Sequence, residues 1–544
     1  MNKCVIDIKI PDYITVCTDG GEREAAISGD CVQFDDVCVE FAKDGEHCAI
    51  FLTAQTSPVR WLKLRWNNMK WEKKAKFLGD AWERGYSDLQ WQSMSARRFM
   101  PWYFAATYEN TTICYGVKVR PSALCFWQVD SAGMTLFMDV RCGGNGVKLD
   151  GRRLQTAEVL GSKLTDCTSF AALSDFCGDM CTDPILPSYP VYGSNNWYYA
   201  YGDSSEEEIL SDTDYIVRLT QGAENRPYMV IDDCWQEHHR LNEYNGGPWT
   251  KGNAKFPDMK GLAQKLTAKG VRPGIWVRLL QNEAADIPQE WRLSINGCLD
   301  PSHPDALAYI KNDVKRICGW GYTLIKHDFS TFDLFGRWGF EMNPLVTQDG
   351  WHFYNEGMTS AEVVKLLYKA ILEACNDDTI ILGCNAIGHL GAGLMHMNRT
   401  GDDTSGLNWE RTRSMGVNTL AFRLPQHRKF YEVDADCVGI DYGISWQYNK
   451  QWADLLAQSG TSLFVSARPG LLSDSENEEL HQIMLTASEQ KNHVIPTDWE
   501  YTDCPEEWED TASGIKRKYD WYEKSGVKFK TQAVRYTPYL SIIG

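Results

Sequence analysis

Apolar residues recur along the chain in two rhythms, and the change between them divides it. From the start to about Asp175 the runs are short and alternating or β-branched, such as TTICYGVKV and MTLFMDVRC, with Gly, Asn and Asp between them. Alternation puts successive side chains on opposite faces of an extended strand, so this part predicts a β-sandwich. One stretch breaks the pattern. GDAWERGYSDLQW, Gly79 to Trp91, mixes aromatic and charged residues without a period and reads as an ordinary structured loop, the alternative being an arm that leans over a neighbouring domain.

After the connector DPILPSYPVYG the rhythm becomes strand, helix, strand. Apolar strands are expected at YMVIDD (Tyr228 to Asp233), VRPGIWVRL (Val271 to Leu279), YTLIKHD, TIILGC (Thr379 to Cys384) and GTSLFVSA (Gly460 to Ala467). Helix-like segments lie between them, among them SSEEEILSDTDYIVRL, with a serine N-cap and acids in its first turn, and MTSAEVVKLLYKAILEAC. Such repeats imply a parallel sheet with covered faces, and their number suits a closed (β/α)8 TIM barrel. From about Leu472 the chain reads again as short β-like runs, ending in VKFKTQAVRYTPYLSIIG. The expected architecture is therefore multidomain: an N-terminal β-sandwich over residues 1–180, a central barrel over 181–471 and a small C-terminal β-domain over 472–544.

In a closed parallel barrel the active face lies at the C-terminal ends of the strands. Ionisable and polar residues gather at those ends: Asp232 and Asp233, then Lys326 and Asp328 in IKHD, then Cys384 and Asn385, and NRTGDDTSG where a sixth strand should finish. By parity Lys326 and Asp328 share one strand face and His327 takes the other, so the ammonium is expected beside the Asp328 carboxylate and His327 against a helix. A nucleophilic carboxylate needs a partner acid, and Asp402 or Asp403 can supply it.

Composition narrows the classes. Hydrophobic residues make up 43% of the 544 and charged residues 24%, as in globular proteins. A net charge of −18 with no basic stripe argues against nucleic acid or an anionic membrane as partner. No apolar h-region opens the chain and no run of about 18 apolar residues occurs, so a cytoplasmic address is the expectation. The 18 cysteines lack paired spacing and read as free thiols. His238, His239, His303, His327, His389 and His396 lack the spacing of a preformed ligand pair, so no metal is expected. The 21 tryptophans, 25 tyrosines and 20 phenylalanines suit large cores and, at some positions, stacking on sugars.

Taken together and in order, YMVIDDCW, FPDMKGLAQKLTAKGVRPGIW, IKHDF and RTGDD resemble the α-galactosidases of glycoside hydrolase families 27 and 36, over roughly Tyr189 to Pro469. The flanking β-regions and WERGYSDLQW fit family 36 better. The resemblance implies that Asp328 is the nucleophile and Asp403, four residues after Arg399, the acid/base. It implies sugar-binding roles for Lys326 and Arg399, for Asp232 and Asp233 at the axial 4-hydroxyl and the 6-hydroxyl of galactose, and for Trp197 by stacking. Cys384 and Asn385 fall in the loop that reads the 2-position, but GCNAIGHLGAG matches neither the galactose nor the N-acetylgalactosamine version. Asp434 and Asp436 are read as structural.

The implied activity is retaining, exo-acting hydrolysis of terminal α-galactosides by double displacement, without metal or organic cofactor. The substrate would be a small or oligosaccharide α-galactoside. Family 36 members are often oligomers, and a homo-oligomer is the corresponding expectation. The alternatives are an α-N-acetylgalactosaminidase or another α-glycosidase of the same clan, and, more remotely, a non-catalytic carbohydrate-binding barrel or a metal-dependent barrel hydrolase.

Overall fold

The computed structural model of the chain describes residues 1–522, and the expected terminal run VKFKTQAVRYTPYLSIIG lies outside the described residues. Asn2–Val5 through Leu154–Thr165 build two antiparallel sheets, one of nine strands and one of six. Their faces meet through Trp127 of the smaller sheet, whose ring lies 5.7 Å from Phe104 and 6.5 Å from Tyr115 of the larger. Helix Ser169–Met180 packs on the larger sheet against Thr111–Val117 and Leu154–Thr165. It carries the chain towards the second region.

That region is a parallel sheet. Its strands run in chain order through Tyr192–Asn195, Tyr228–Ile231, Arg272–Val277, Leu324–His327, Ile380–Gly383, Met397–Arg399 and Glu432–Asp434, and on the other side of the first strand lie Leu463–Ala467 and then Cys437–Ile440. The two edges are therefore halves of one passage of chain, Glu432 to Ile440, broken by Ala435 and by Asp436 at φ +73°. One half pairs with the sixth strand and the other with the eighth. The sheet must curl until its edges nearly meet, as a barrel requires.

Alternation decides which side chains fill the interior. Val230, Leu324, Leu382, Met397, Cys437 and Phe464 form one buried cluster, whereas Met229, Ile231, Ile325 and Ile381 join a second that extends to the helices. Both faces of each strand are covered, which explains the continuous apolar runs. Between the strands lie helices Glu206–Leu219, Met259–Ala268, Pro304–Trp320, Ser360–Ala374 and Trp446–Ser459. Ser205 caps the first by accepting from the Glu208 N–H at 3.3 Å. Between the fifth and sixth strands the helix shrinks to Gly388–Gly391.

The β-like reading from Leu472 needs correction. Asp474–Glu489 is a sixteen-residue α-helix, started by a capping box between Ser473 and Glu476, and it packs on helices Glu206–Leu219 and Trp446–Ser459. Its buried Leu480, Ile483, Met484 and Ala487 follow a helical period that the many polar residues between them obscure. A three-stranded antiparallel sheet of Val494–Pro496, Glu507–Asp510 and Lys516–Lys518 follows. Among the described residues no helix is long and apolar enough to cross a membrane. None of the cysteines, all of which are described, forms a disulfide.

One side chain joins the two regions at a helix start. Thr359 is fully buried; its Oγ1 accepts from the Glu362 N–H at 3.1 Å and donates to the Ser122 carbonyl at 2.7 Å. Thr359→Ala removes the cap and leaves that carbonyl unpaired, so thermal unfolding should show a loss of about 1–2 kcal/mol, largely restored in Thr359→Ser.

Candidate functional site

At the C-terminal ends of the curled sheet lies an open cavity of about 800 Å³. Asp232, Asp233, Lys326, Asp328, Asp403 and Trp197 all line it, so six of the nine residues singled out in the sequence meet in one place. Parity accounts for two of them: Asp232 continues the inward series of Val230, and Lys326 that of Leu324. The second strand ends at Ile231, which frees Asp233 to face the cavity as well as its neighbour.

The ammonium is not beside Asp328. Lys326 Nζ donates to Asp232 Oδ2 at 2.7 Å, and Asn195 Nδ2 donates to the same oxygen at 2.6 Å. Burial works against the Lys326 ammonium, but the groups around it, Asp232 foremost, together outweigh it and hold the lysine well above its ordinary pKa. Asp328 is held instead by two neutral donors, Trp276 Nε1 at 3.1 Å and the Phe329 backbone N–H at 2.7 Å. Trp276 stands in register with Lys326 on the adjacent strand, and its alternation with Gly274 marks it as inward-facing. Phe329 has φ +61°, a sparsely populated conformation of the kind that clusters at functional sites.

Asp402 and Asp403 are neighbours with opposite surroundings. The Asp402 side chain is 0% exposed and bridges two guanidinium groups, Arg84 Nη2 at 3.1 Å and Arg411 Nη2 at 3.0 Å. The Asp403 side chain is 31% exposed, with Arg399 Nη2 at 3.2 Å and Arg84 Nη1 at 3.9 Å. Burial pushes the Asp403 carboxyl up, but Arg399, Arg84 and Arg411 together hold it below the usual aspartate range. The resting cavity thus keeps Asp403 as a carboxylate at neutral pH. Burial, with Asp232 adding to it, raises Asp233 to about 7.

Arg84 comes from the loop Gly79 to Trp91, and the ordinary-loop reading of that segment gives way to the alternative. The loop docks by backbone: the Gly85 N–H donates to the Thr400 carbonyl at 2.7 Å, and the Asp402 N–H to the Gly85 carbonyl at 3.1 Å. A Cβ at Gly401 would lie 2.2 Å from the Met415 carbonyl oxygen and 2.4 Å from Thr419 Oγ1, so glycine lets this segment pack closely on the helical stretch that carries them. Buried Glu83 completes the dock by accepting from the Gly339 N–H at 3.0 Å and from Asn385 Nδ2.

Three sequence-predicted residues stand behind the cavity wall. Asn385 is fully buried and spends its amide on Glu83 and on the Phe332 N–H. Cys384 is buried and accepts from Arg399 Nη1 at 3.3 Å. Arg399, 1% exposed, divides its guanidinium among Cys384, Asp403 and Asp436, the last at 2.9 Å. These contacts tie the three residues to the neighbouring strand ends and to the docked loop. Asp436 also accepts from the Thr404 N–H at 2.8 Å and from Tyr198, in keeping with a structural role. His327 packs outward against Tyr368 of helix Ser360–Ala374 at 5.6 Å. Trp235 is fully buried and donates to the Trp276 carbonyl at 2.9 Å. The cavity also draws on Trp338 and Tyr201, which had no distinguishing sequence signal, and on His239, weighed in the sequence only among histidines without ligand spacing.

A curled parallel sheet flanked by antiparallel sheets is a fold this chain shares with solved α-galactosidases. The chain overlays an α-galactosidase of Thermus thermophilus, in complex with p-nitrophenyl α-D-galactopyranoside, with a TM-score of 0.58 at 16% identity over 93% of this chain and 99% of that one. A family 36 α-galactosidase of Geobacillus stearothermophilus gives 0.60 at 14% identity, over 93% and 80%. In sequence, 140 residues are 27% identical to an α-galactosidase of Oryza sativa subsp. japonica, covering 26% of this chain and 29% of that protein. A match to the Cyamopsis tetragonoloba α-galactosidase is also 27% identical, over 144 residues, and spans 31% of its length. The matched segment is thus about a third or less of these curated relatives. No family model matches the chain. The resemblance to the α-galactosidases is upheld by the matches in sequence and by the fold.

Two buried histidines near these elements make stability depend on pH. Burial lowers His327 to about 4 and His389 to about 3, far below the ~6.5 of an unfolded imidazole. Both folded pKa values are depressed, so the unfolded chain binds more protons and stability present above pH ~6.5 is lost as pH falls towards 4, by up to about 1.4 kcal/mol per pH unit per histidine. Thermal melts from pH 7 to 4 should show this slope, reduced in His327→Gln.

Proposed function

We propose that the chain is a retaining, exo-acting α-galactosidase in which Asp328 is the nucleophile and Asp403 the acid/base. The observation that carries this reading is the convergence of these two carboxylates, from the fourth and sixth strand ends, on one cavity already lined by Asp232, Asp233, Lys326 and Trp197. The first step joins Asp328 to the anomeric carbon while Asp403 gives its proton to the departing glycosidic oxygen. In the second, Asp403 takes a proton from water, the water oxygen attacks the anomeric carbon, and the Asp328 ester is released with net retention.

The electrostatics fit this division. Asp328 is held by neutral N–H donors and not by a cation, which leaves its lone pairs available to an electrophile. Asp403 rests as a carboxylate, suited to the second step, and must gain a proton for the first. That proton comes from solvent; the desolvation a bound sugar adds favours its uptake in the complex, while kcat/KM, which follows the free enzyme, should fall as pH rises above the depressed Asp403 pKa, well below neutrality. Asp402, sealed between two arginines, has no such freedom. Asp232 with Lys326, and Asp233, are the acceptors and donors for ring hydroxyls, and Trp197 the stacking face. The N-terminal strands would form a β-sandwich whose loop completes the cavity, with a C-terminal β-region beyond the barrel.

Asp328→Ala should lower turnover of an aryl α-galactoside by at least ~10⁴-fold, the scale of losing a covalent nucleophile; wild-type turnover would sink the assignment. Asp403→Ala should harm natural galactosides more than aryl substrates with good leaving groups, and equal losses would point to Asp402. Arg84→Gln removes a cation that depresses Asp403, so the basic limb of kcat/KM should move to higher pH; an unmoved limb would mean that Asp403 is not the group titrating there. A panel of aryl α-galactoside, α-N-acetylgalactosaminide and α-glucoside tests the sugar.

A further inference from the structure

Two side chains in the cavity wall beside Asp233, those of Cys234 and His239, have no role in the double displacement. The chain leaves the second strand at Ile231 and turns at Cys234, which takes φ +88°. That turn brings Cys234 Sγ to 3.0 Å from His239 Nε2. Asp233 completes the group, and a carboxylate oxygen, the thiol sulfur and an imidazole nitrogen lie within 4.8 Å of one another. All three residues face the cavity, so a position between them opens to solvent and solute.

We propose that Asp233, Cys234 and His239 form a binding site for a zinc-class divalent cation, with its fourth coordination position towards the cavity. The donor set decides the class. Thiolate and imidazole suit zinc and reject magnesium or calcium, which take oxygen, and three protein ligands with one open position is a common zinc arrangement. The site is built rather than accidental. Asp233 Oδ1 is oriented by the Cys234 N–H at 2.6 Å and by Gln236 Nε2 at 2.8 Å. A side chain at residue 202 would place its Cβ 2.4 Å from Cys234 Sγ, so Gly202 leaves the room the sulfur occupies.

The thiolate and the neutral imidazole are the ligating forms, so binding replaces the Cys234 proton by the cation and releases that proton to solvent. Arg240, next to His239 in the chain, is engaged by Glu283 at 2.8 Å. The site also couples to the sugar, a step that rests on the function proposed above. Asp233 cannot serve a cation and a galactose hydroxyl together, so zinc and substrate exclude one another. The cation is an inhibitor whose hold depends on a reduced thiol.

The test titrates zinc into the reduced, metal-free full-length protein against a chromophoric chelator, and cobalt(II) as a spectroscopic substitute. One tight equivalent in the wild type, with thiolate-to-cobalt charge-transfer absorption, should weaken at least about tenfold in both Cys234→Ser and His239→Gln. Thermal melts without metal check that both variants fold. Equal zinc affinity in wild type and variants, or cobalt binding without the thiolate absorption, overturns the site. In the activity arm, zinc should raise the KM for an aryl α-galactoside in the wild type and leave that of Cys234→Ser unchanged; equal inhibition of both overturns the competition. Tight zinc binding by a wild type that hydrolyses no α-galactoside would retain the site and reject the hydrolase reading.

Discussion

The cavity depends on a buried ion pair contributed by two separate parts of the chain. Arg84, from a loop between strands of the N-terminal sheet, meets Asp402 at the end of the sixth parallel strand, and neither side chain is more than 3% exposed. Two charges removed from water cost more than a single contact returns, and the pair is tenable because Arg411 satisfies the other Asp402 oxygen and the Gly85 backbone bonds on both sides of Gly401. Removing either partner would strand a charge in the interior. The pair therefore fixes three things together: the seat of the loop, the path of the RTGDD segment, and the outward aim of Asp403.

This explains how adjacent aspartates come to differ. Asp402 is consumed by structure, while Asp403 keeps 31% of its side chain accessible and feels the same arginines at longer range. The other cations are placed with similar economy. Lys326 is paired with Asp232 and Arg399 is tied to Asp436 and Asp403, so Asp328 is left to Trp276 and a backbone N–H. Positive charge within the site is thus paired with Asp232, Asp402, Asp403 and Asp436, while Asp328 is held by neutral donors.

Much of this was legible in the chain. The long apolar strand runs, the capped amphipathic helices and the polar strand ends follow from period and composition, because barrel strands buried on both faces have few sequence solutions. Parity correctly turned Lys326 inward and His327 outward. It could not choose between Asp232 and Asp328 as the lysine's partner, since that depends on which neighbouring strand end comes nearer. Arg84 was hidden for a related reason: its contacts lie more than three hundred residues away, and nothing local in an aperiodic loop records them. Cys384, Asn385 and Arg399 lie buried behind the residues that line the cavity, a depth that motif position does not record. The helix Asp474–Glu489 was missed where polar residues diluted a four-residue apolar stripe.

The central claim is that Asp328 is the atom-bearing partner of the sugar in a covalent intermediate. Incubation with a fluorinated α-galactosyl fluoride that forms the glycosyl ester but releases it slowly, followed by peptide mapping by mass spectrometry, tests it directly. The account predicts one equivalent of sugar on the peptide containing Asp328 and none on the Asp328→Ala protein. Label on another carboxylate, or steady turnover of α-galactosides with no residue labelled, would contradict it.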